Sequence, residues 1–441
     1  FWLKAGVDAR GAGARSRSPP AQMATYINYG EGEEDATVQG AEWLQMMIES
    51  QKGPEAQKAF HEEFAALHAD QENSRQYNYG PVLDLFVGQS EDLFAAIAET
   101  GREEKVKEVE SFFALVLSML EMLDDEQHLD RSTTRLCELF SSSAEQQPEL
   151  RLRLLMMLYN TFNNPDFPVR YRVFKSIIDY SAKAGLFDQV LPYLEHLDSW
   201  MVDWDPYMTV QDKRDLFRDI STYMRALNKR VDAFQHLKRY HQLFQGEAAD
   251  ALVKEEVAGL AVELIKDAVQ LPSVIQFDDI LGFDTVKALA KSKQSGLVSL
   301  CETFLSGTVN DLRDFQAKNP KVFEEHGLAT QEAMSKIRLL TLATLAHGRA
   351  EIGLSEVAAA LEEKEEGVER WVVRAISEGF IDGRIDQLSR KVLVKSAFQR
   401  TFGKEEWAFL DAKLTHWIDN LESVIKFIGE QKALREGTTA N

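Results

Sequence analysis

The chain has 441 residues, 44% hydrophobic and 27% charged, a globular composition with length for about two or three domains. A formal net charge of −21 argues against broad nucleic-acid binding as the main activity, because that needs a basic footprint for phosphate; a local basic patch stays open. Cys137 and Cys301 stand far apart, each in an apolar helical pattern, which argues against a disulfide framework or zinc site and fits small buried thiols in a reducing compartment.

Residues 1–22 carry Arg, Ser and Pro and almost no acid. They read either as a transit-peptide-like segment or as leader sequence with a natural start at Met23, and the second reading is adopted. Residues 1–36, including the acidic stretch 31–35, are therefore expected to be a disordered leader outside the fold. The longest apolar run, residues 112–123, is broken by Ser118 and Glu121. A bilayer span needs about 20 apolar residues, so this run predicts a buried helix and no membrane partner.

From residue 37 to residue 348 the apolar period is helical. Val173, Phe174, Ile177 and Ile178 line one helix, which Gly185 ends. Leu194, Leu197, Met201 and Trp204 line the next, which stops at Asp205-Pro206. Leu216, Ile220, Tyr223 and Leu227 line a third. Val231, Phe234, Leu237, His241 and Phe244 line a fourth, closed by Gly246. Short connections make neighbours antiparallel, and successive pairs stack into an α-solenoid. The tetratricopeptide consensus is missing, so any repeat is degenerate. Gly53-Pro54, Tyr79-Gly80-Pro81 and Gln147-Pro148 predict turns, Leu271-Pro272 and Gly282 a change of direction, and Asn319-Pro320 the start of the last helices. The expected divisions are residues 37–209 for N-terminal helical repeats and 210–348 for a second helical part.

Residues 349–403 predict a winged helix. Glu351-Ile352 reads as a short strand, and Ser355 as the N-cap of a helix over 355–361. A second helix over 368–377 carries Trp371, Val372, Ala375 and Ile376, and Gly379 closes it. The period then changes to two: Ile381, Gly383 and Ile385 face one way, and Asp382, Arg384 and Asp386 the other. A turn at 387–390 returns into 391–395, with Val392 and Val394 on one face. Many winged helices read DNA through the second helix. Here Glu362, Glu363, Glu365, Glu366, Glu369 and Glu378 surround it and would repel phosphate. The hairpin is more basic, with Arg384, Arg390, Lys391 and Lys395, then Arg400 and Lys404. It reads as a solvated hairpin whose lysines protect an edge. The alternative is RNA or acidic-partner contact through Arg384, Arg390, Lys391 and Lys395.

Residues 404–441 predict a long helix and tail. Trp407, Leu410, Leu414, Trp417, Leu421, Val424 and Ile428 alternate steps of three and four, the seam of a helix that packs on other helices over ~35 Å. Ile418 and Ile425 widen the stripe, which suits a bundle better than a two-stranded coil. These residues are the candidate partner-helix interface, and packing back on the chain's own domain is the competing reading.

No catalytic constellation emerges, and no cofactor or metal is expected. His61-Glu62-Glu63 has Ala65 where a zinc-protease helix needs its second His. His61 and His68 stand ~10 Å apart along a helix, and His236 and His241 miss the four-residue spacing. No phosphate loop, nucleophile elbow or dinucleotide fingerprint is present. Arg170, Arg172 and Lys175 beside Tyr171 and Phe174, and Lys229, Arg230, Lys238 and Arg239 beside Tyr240, read as solvated helix faces, with RNA or an acidic protein surface as the alternative.

The order solenoid, winged helix, terminal helix resembles the PCI-domain family, which supplies scaffold subunits of the proteasome lid, the signalosome and translation initiation factor three. Residues 168–174 (Pro-Val-Arg-Tyr-Arg-Val-Phe), 334–341 (Met-Ser-Lys-Ile-Arg-Leu-Leu-Thr), 400–407 (Arg-Thr-Phe-Gly-Lys-Glu-Glu-Trp) and 387–394 in the hairpin look most similar to one subunit of initiation factor three. The resemblance implies a mainly α fold, a helical-repeat array ending in a PCI domain. It implies a non-catalytic cytoplasmic scaffold whose partners are other initiation factor three subunits and, through the complex, the small ribosomal subunit. PCI subunits of that kind meet through winged helices and gather their terminal helices in a bundle. A scaffold subunit of the signalosome or proteasome lid, or a nucleic-acid-binding winged-helix protein, stands as the alternative.

Overall fold

The computed structural model describes residues 36–72, 78–100, 103–162, 169–401 and 403–438; of the leader expected over residues 1–36, residues 1–35 lie outside them and Ala36 begins the first helix. The chain forms two compact units, divided between Tyr223 and Met224.

The first unit is helical throughout its described residues. α1 (Ala36–Lys52) and α2 (Pro54–Glu72) form a hairpin around Gly53. α3 (Gly80–Gln89), α4 (Leu93–Thr100), α5 (Glu103–Glu121), α6 (Glu126–Ser141), α7 (Pro148–Thr161) and α8 (Val169–Lys183) follow. α5 packs on α7 and α6 on α8; this two-step stacking is what makes a solenoid. α5 holds the apolar run noted in the sequence and buries Phe112, Phe113, Val116 and Leu120 completely. Ser118, the polar interruption, donates to the Leu115 carbonyl at 2.8 Å. Phe113 meets Phe140 edge to face at 4.9 Å. A second aromatic cluster joins Phe174 to Trp200 and Trp204, at 5.4 and 5.1 Å.

One expected helix is interrupted. α9 (Phe187–Val190) passes into a 3-10 turn at Leu191–His196, and only then does α10 (Leu197–Trp204) begin. Pro192, within the first turn of that segment, has no N–H to donate, so the α-helical ladder is not continuous there. α11 (Val210–Ala226) contains the division between the units.

The second unit opens with α12 (Arg230–Gln242), α13 (Ala249–Leu252), α14 (Glu255–Gln270), α15 (Asp278–Gly282), α16 (Asp284–Leu289), α17 (Ser295–Ser306), α18 (Val309–Lys318), α19 (Pro320–Glu325) and α20 (Thr330–Ala346). α12 packs on α14, and α14 on α16, α17 and α20. The sequence placed Val231 and Leu227 on apolar faces, but both are exposed: Val231 lies in the first turn of α12, and Leu227 just beyond α11.

A winged helix follows: β1 (Glu351–Gly353), α21 (Leu354–Leu361), α22 (Glu365–Ser377), β2 (Ile381–Asp386) and β3 (Lys391–Ala397). The strands are antiparallel in the order β1-β3-β2. Val392 lies centrally, opposite Ile352 on one side and Ile385 on the other. Asp382 pairs with Ser396 but Gly383 with Val394, so Lys395 is an extra residue, a bulge. Gly383 is required there, since a Cβ would stand 2.5 Å from the Leu393 carbonyl oxygen. Two helix starts differ from expectation. Gly353 occupies the N-cap of α21 with no side-chain cap bond, so Ser355 belongs to the first turn. α22 begins at Glu365, ahead of its first apolar residue, with Glu365 and Glu366 in the first turn where the helix dipole favours carboxylates. Finally, α23 spans Lys404–Thr438, longer than its apolar seam. Residues 430–436 are mostly strong helix formers.

Candidate protein-docking surfaces

Among the described residues, exposed large hydrophobic side chains concentrate on α23. Trp407, Leu410, Leu414, Trp417, Leu421, Val424 and Ile428 are between 36% and 63% exposed. Ile418 and Ile425 flank them on one side and are exposed as well. Phe427, which the three-four spacing passed over, is 61% exposed; it falls on the opposite flank of the seam from Ile425, because successive residues turn by ~100°. The stripe therefore broadens on both flanks toward its far end, the pattern of a helix with more than one neighbour.

The segment leading into α23 is anchored. Arg400, grouped with the hairpin bases from sequence, is buried and points back into the helical part. Its Nε donates to the Phe304 carbonyl at 2.7 Å, Nη1 to Gly307 at 2.7 Å and Nη2 to Thr303 at 3.0 Å. These are carbonyls at the C-terminal end of α17, the negative pole of its dipole. Burial lowers the Arg400 guanidinium to about 10. Lys336 does the same for α14, with Nζ donating to the carbonyls of Ala268 and of Leu271, the latter at 2.7 Å, and lying 5.0 Å from the Phe277 ring centre. Burial pushes its amine down to about 7. Arg338, two residues on, pairs with Glu363 at 3.0 Å and lies over the Trp371 ring at 5.1 Å, joining α20 to the winged helix. Sequence reading missed all three joints. No local signal marks them, because each partner lies far along the chain.

The wing does not present free positive charge in bulk. Arg390 pairs with Glu365 at 3.2 Å, Lys391 with Glu351 at 2.9 Å and Lys395 with Asp382 at 2.9 Å. Arg384 is exposed and close enough to help hold the Asp386 carboxyl below its usual range, after the larger effect of hydrogen bonds from Ser389. Asp386 also accepts from the Leu388 N–H at 3.1 Å, which fixes the turn, and Leu388 at its tip is fully exposed. The solenoid clusters are engaged too. Lys175 reaches Asp219 at 2.7 Å, Arg172 pairs with Asp130, Arg170 lies over the Tyr159 ring, Lys238 reaches Asp279 at 2.6 Å, and Arg230 reaches buried Asp267 at 2.7 Å.

No reactive centre accompanies these surfaces among the described residues. No three His, Cys, Asp or Glu side chains gather as a metal site, and no helix is long and apolar enough to cross a membrane. Burial raises the Cys137 thiol to about 11 and the Cys301 thiol to about 12, away from thiolate chemistry. His241, buried against the Thr285 hydroxyl at 3.0 Å, is pushed down to about 4.

Stacked helical pairs that end in a winged helix, with an amphipathic helix beyond, make this a PCI-type scaffold. The PCI domain matches residues 316–396, from α18 to near the end of β3. A relative in Aspergillus terreus, eukaryotic translation initiation factor 3 subunit M, is 30% identical over 347 residues, 77% of this chain and 73% of the relative. Proteins of the same name in Dictyostelium discoideum (28% identical, 74% of this chain and 80% of the relative) and Nematostella vectensis (27%, with 72% and 81% covered) are also similar. The chain belongs to the eukaryotic translation initiation factor 3 subunit M family.

Proposed function

We propose that the chain is a non-catalytic scaffold subunit of the translation initiation factor 3 complex in the cytoplasm. It docks on other subunits through its winged helix and through α23, and so supports assembly on the small ribosomal subunit. The observation that carries the docking role is the apolar stripe from Trp407 to Ile428, exposed along its whole length. Burying each such side chain is worth roughly 1.5–3 kcal/mol as an upper figure, so a partner surface is strongly favoured. The names of the relatives favour initiation factor 3 over the signalosome or proteasome lid.

Direct RNA contact through Arg384, Arg390, Lys391 and Lys395 is the weaker reading, since three of the four already have carboxylate partners. The test of the main reading is affinity purification from cytoplasmic extract with mass spectrometry, using the full chain and a chain ending at Gly403. Initiation factor 3 subunits should accompany the full chain and fall away from the shortened one. Equal recovery would move docking to the winged helix and solenoid; recovery with neither would overturn the assignment.

A further inference from the structure

The first unit contains a hollow that none of the surfaces above uses. It lies between α5 and α7 and has a volume of about 330 Å³, within the range of ligand sites. Helical spacing puts Glu110, Ala114, Leu117, Ser118 and Glu121 on one face of α5. Ala114, small and central, opens the gap. Met156 and Met157 supply the wall from α7, and Tyr193 also borders it.

Its two ends differ in charge. At one, Glu110 is matched by Arg153 at 3.6 Å. At the other, Glu121 has no cation partner among the described residues, and burial raises its carboxyl above the usual value. Glu121 is itself the last residue of α5, where the helix dipole adds negative charge. The open end is thus acidic and the floor apolar.

We infer that this hollow receives an amphipathic helix of a partner protein, with aliphatic anchors on Leu117, Met156 and Met157 and a lysine or arginine against Glu121. Glu110 and Glu121 are ~16 Å apart along α5, about three helical turns, enough to seat anchors at i, i+3 or i+4, and i+7, which span ~10 Å. Thioether side chains adapt to anchors of different shape. A nucleic acid is disfavoured because its phosphates would meet the carboxylates. The inference is independent of the initiation-factor reading and of α23.

The experiment uses the full chain with 13C-labelled methionine methyl groups. The probe is a synthetic amphipathic helix of about 15 residues made of leucine and lysine, beside a matched peptide of leucine and glutamate. The lysine peptide should shift the Met156 and Met157 methyl signals saturably, and the glutamate peptide should not. Glu121→Lys, an exposed change that leaves the core alone, should weaken binding at least ~10-fold with an unchanged melting temperature. Ala114→Phe, which fills the hollow, should abolish it. The inference fails if the lysine peptide leaves both methyls in place, if both peptides move them equally, or if Glu121→Lys binds as wild type. It also fails if the signals move with chain concentration alone, which would make a second copy the occupant.

Discussion

Three cations do structural work that their side-chain class conceals. Arg151, Lys336 and Arg400 are all buried, and each finds carbonyl oxygens at the end of a helix: Leu139 for Arg151 at 2.7 Å, Leu271 for Lys336 and Phe304 for Arg400. Arg400→Ala should strand those carbonyls and cost about 3 kcal/mol, read as an earlier urea transition of the second unit. Arg400→Lys should restore only part, because an ammonium lacks the planar fork. For Lys336 the pH dependence has a definite sign. Its folded value of about 7 lies below the ordinary 10.5, so between these the unfolded chain binds more protons. Stability should therefore climb as pH rises from about 7 toward 10, where the charge-burial penalty has gone in both states. Lys336→Met should flatten that part of the urea-midpoint profile. None of this was legible in the sequence. Arg400 looked like a surface base beside the hairpin, because its carbonyl partners stand 93 to 97 residues away and spacing reports only near neighbours.

Among the elements, legibility followed the period. The hairpin showed itself by its change to period two and α23 by its three-four seam, since both patterns are local. The bulge at Lys395 was not visible, because one added residue looks like ordinary alternation until the partner strand is known. The interruption at Leu191–His196 was missed because apolar spacing continued across Pro192. Gly383→Ala should push β2 off the Leu393 carbonyl and cost about 1–3 kcal/mol. The expected sign is lost hydrogen-exchange protection in β3, with α5 amides unaffected. On α23, Trp417→Asp and Leu421→Asp replace exposed side chains. Both variants should keep the wild-type melting temperature yet lose co-purifying subunits, and retained subunits would show that the stripe is not the contact.

At the scale of the whole molecule, charge and exposed apolar surface act together. A net −21 keeps copies apart at low salt and screens away as salt rises. The chain without partners should therefore associate more at high salt, by light scattering, and the version ending at Gly403 should not. Solenoid, winged helix and terminal helix were legible as a sequence of parts because each part has its own period and the parts do not interleave. Their joints were not, being contacts between distant segments. Arg400 also bears on the order of events in synthesis. It emerges from the ribosome after α17 and before α23, so the anchoring segment can close on the helical part while the adhesive helix is still inside the exit tunnel. Timing along the chain thus gives the young protein a settled body before it can stick to anything, and a delay in that closure would offer the helix to chaperones first.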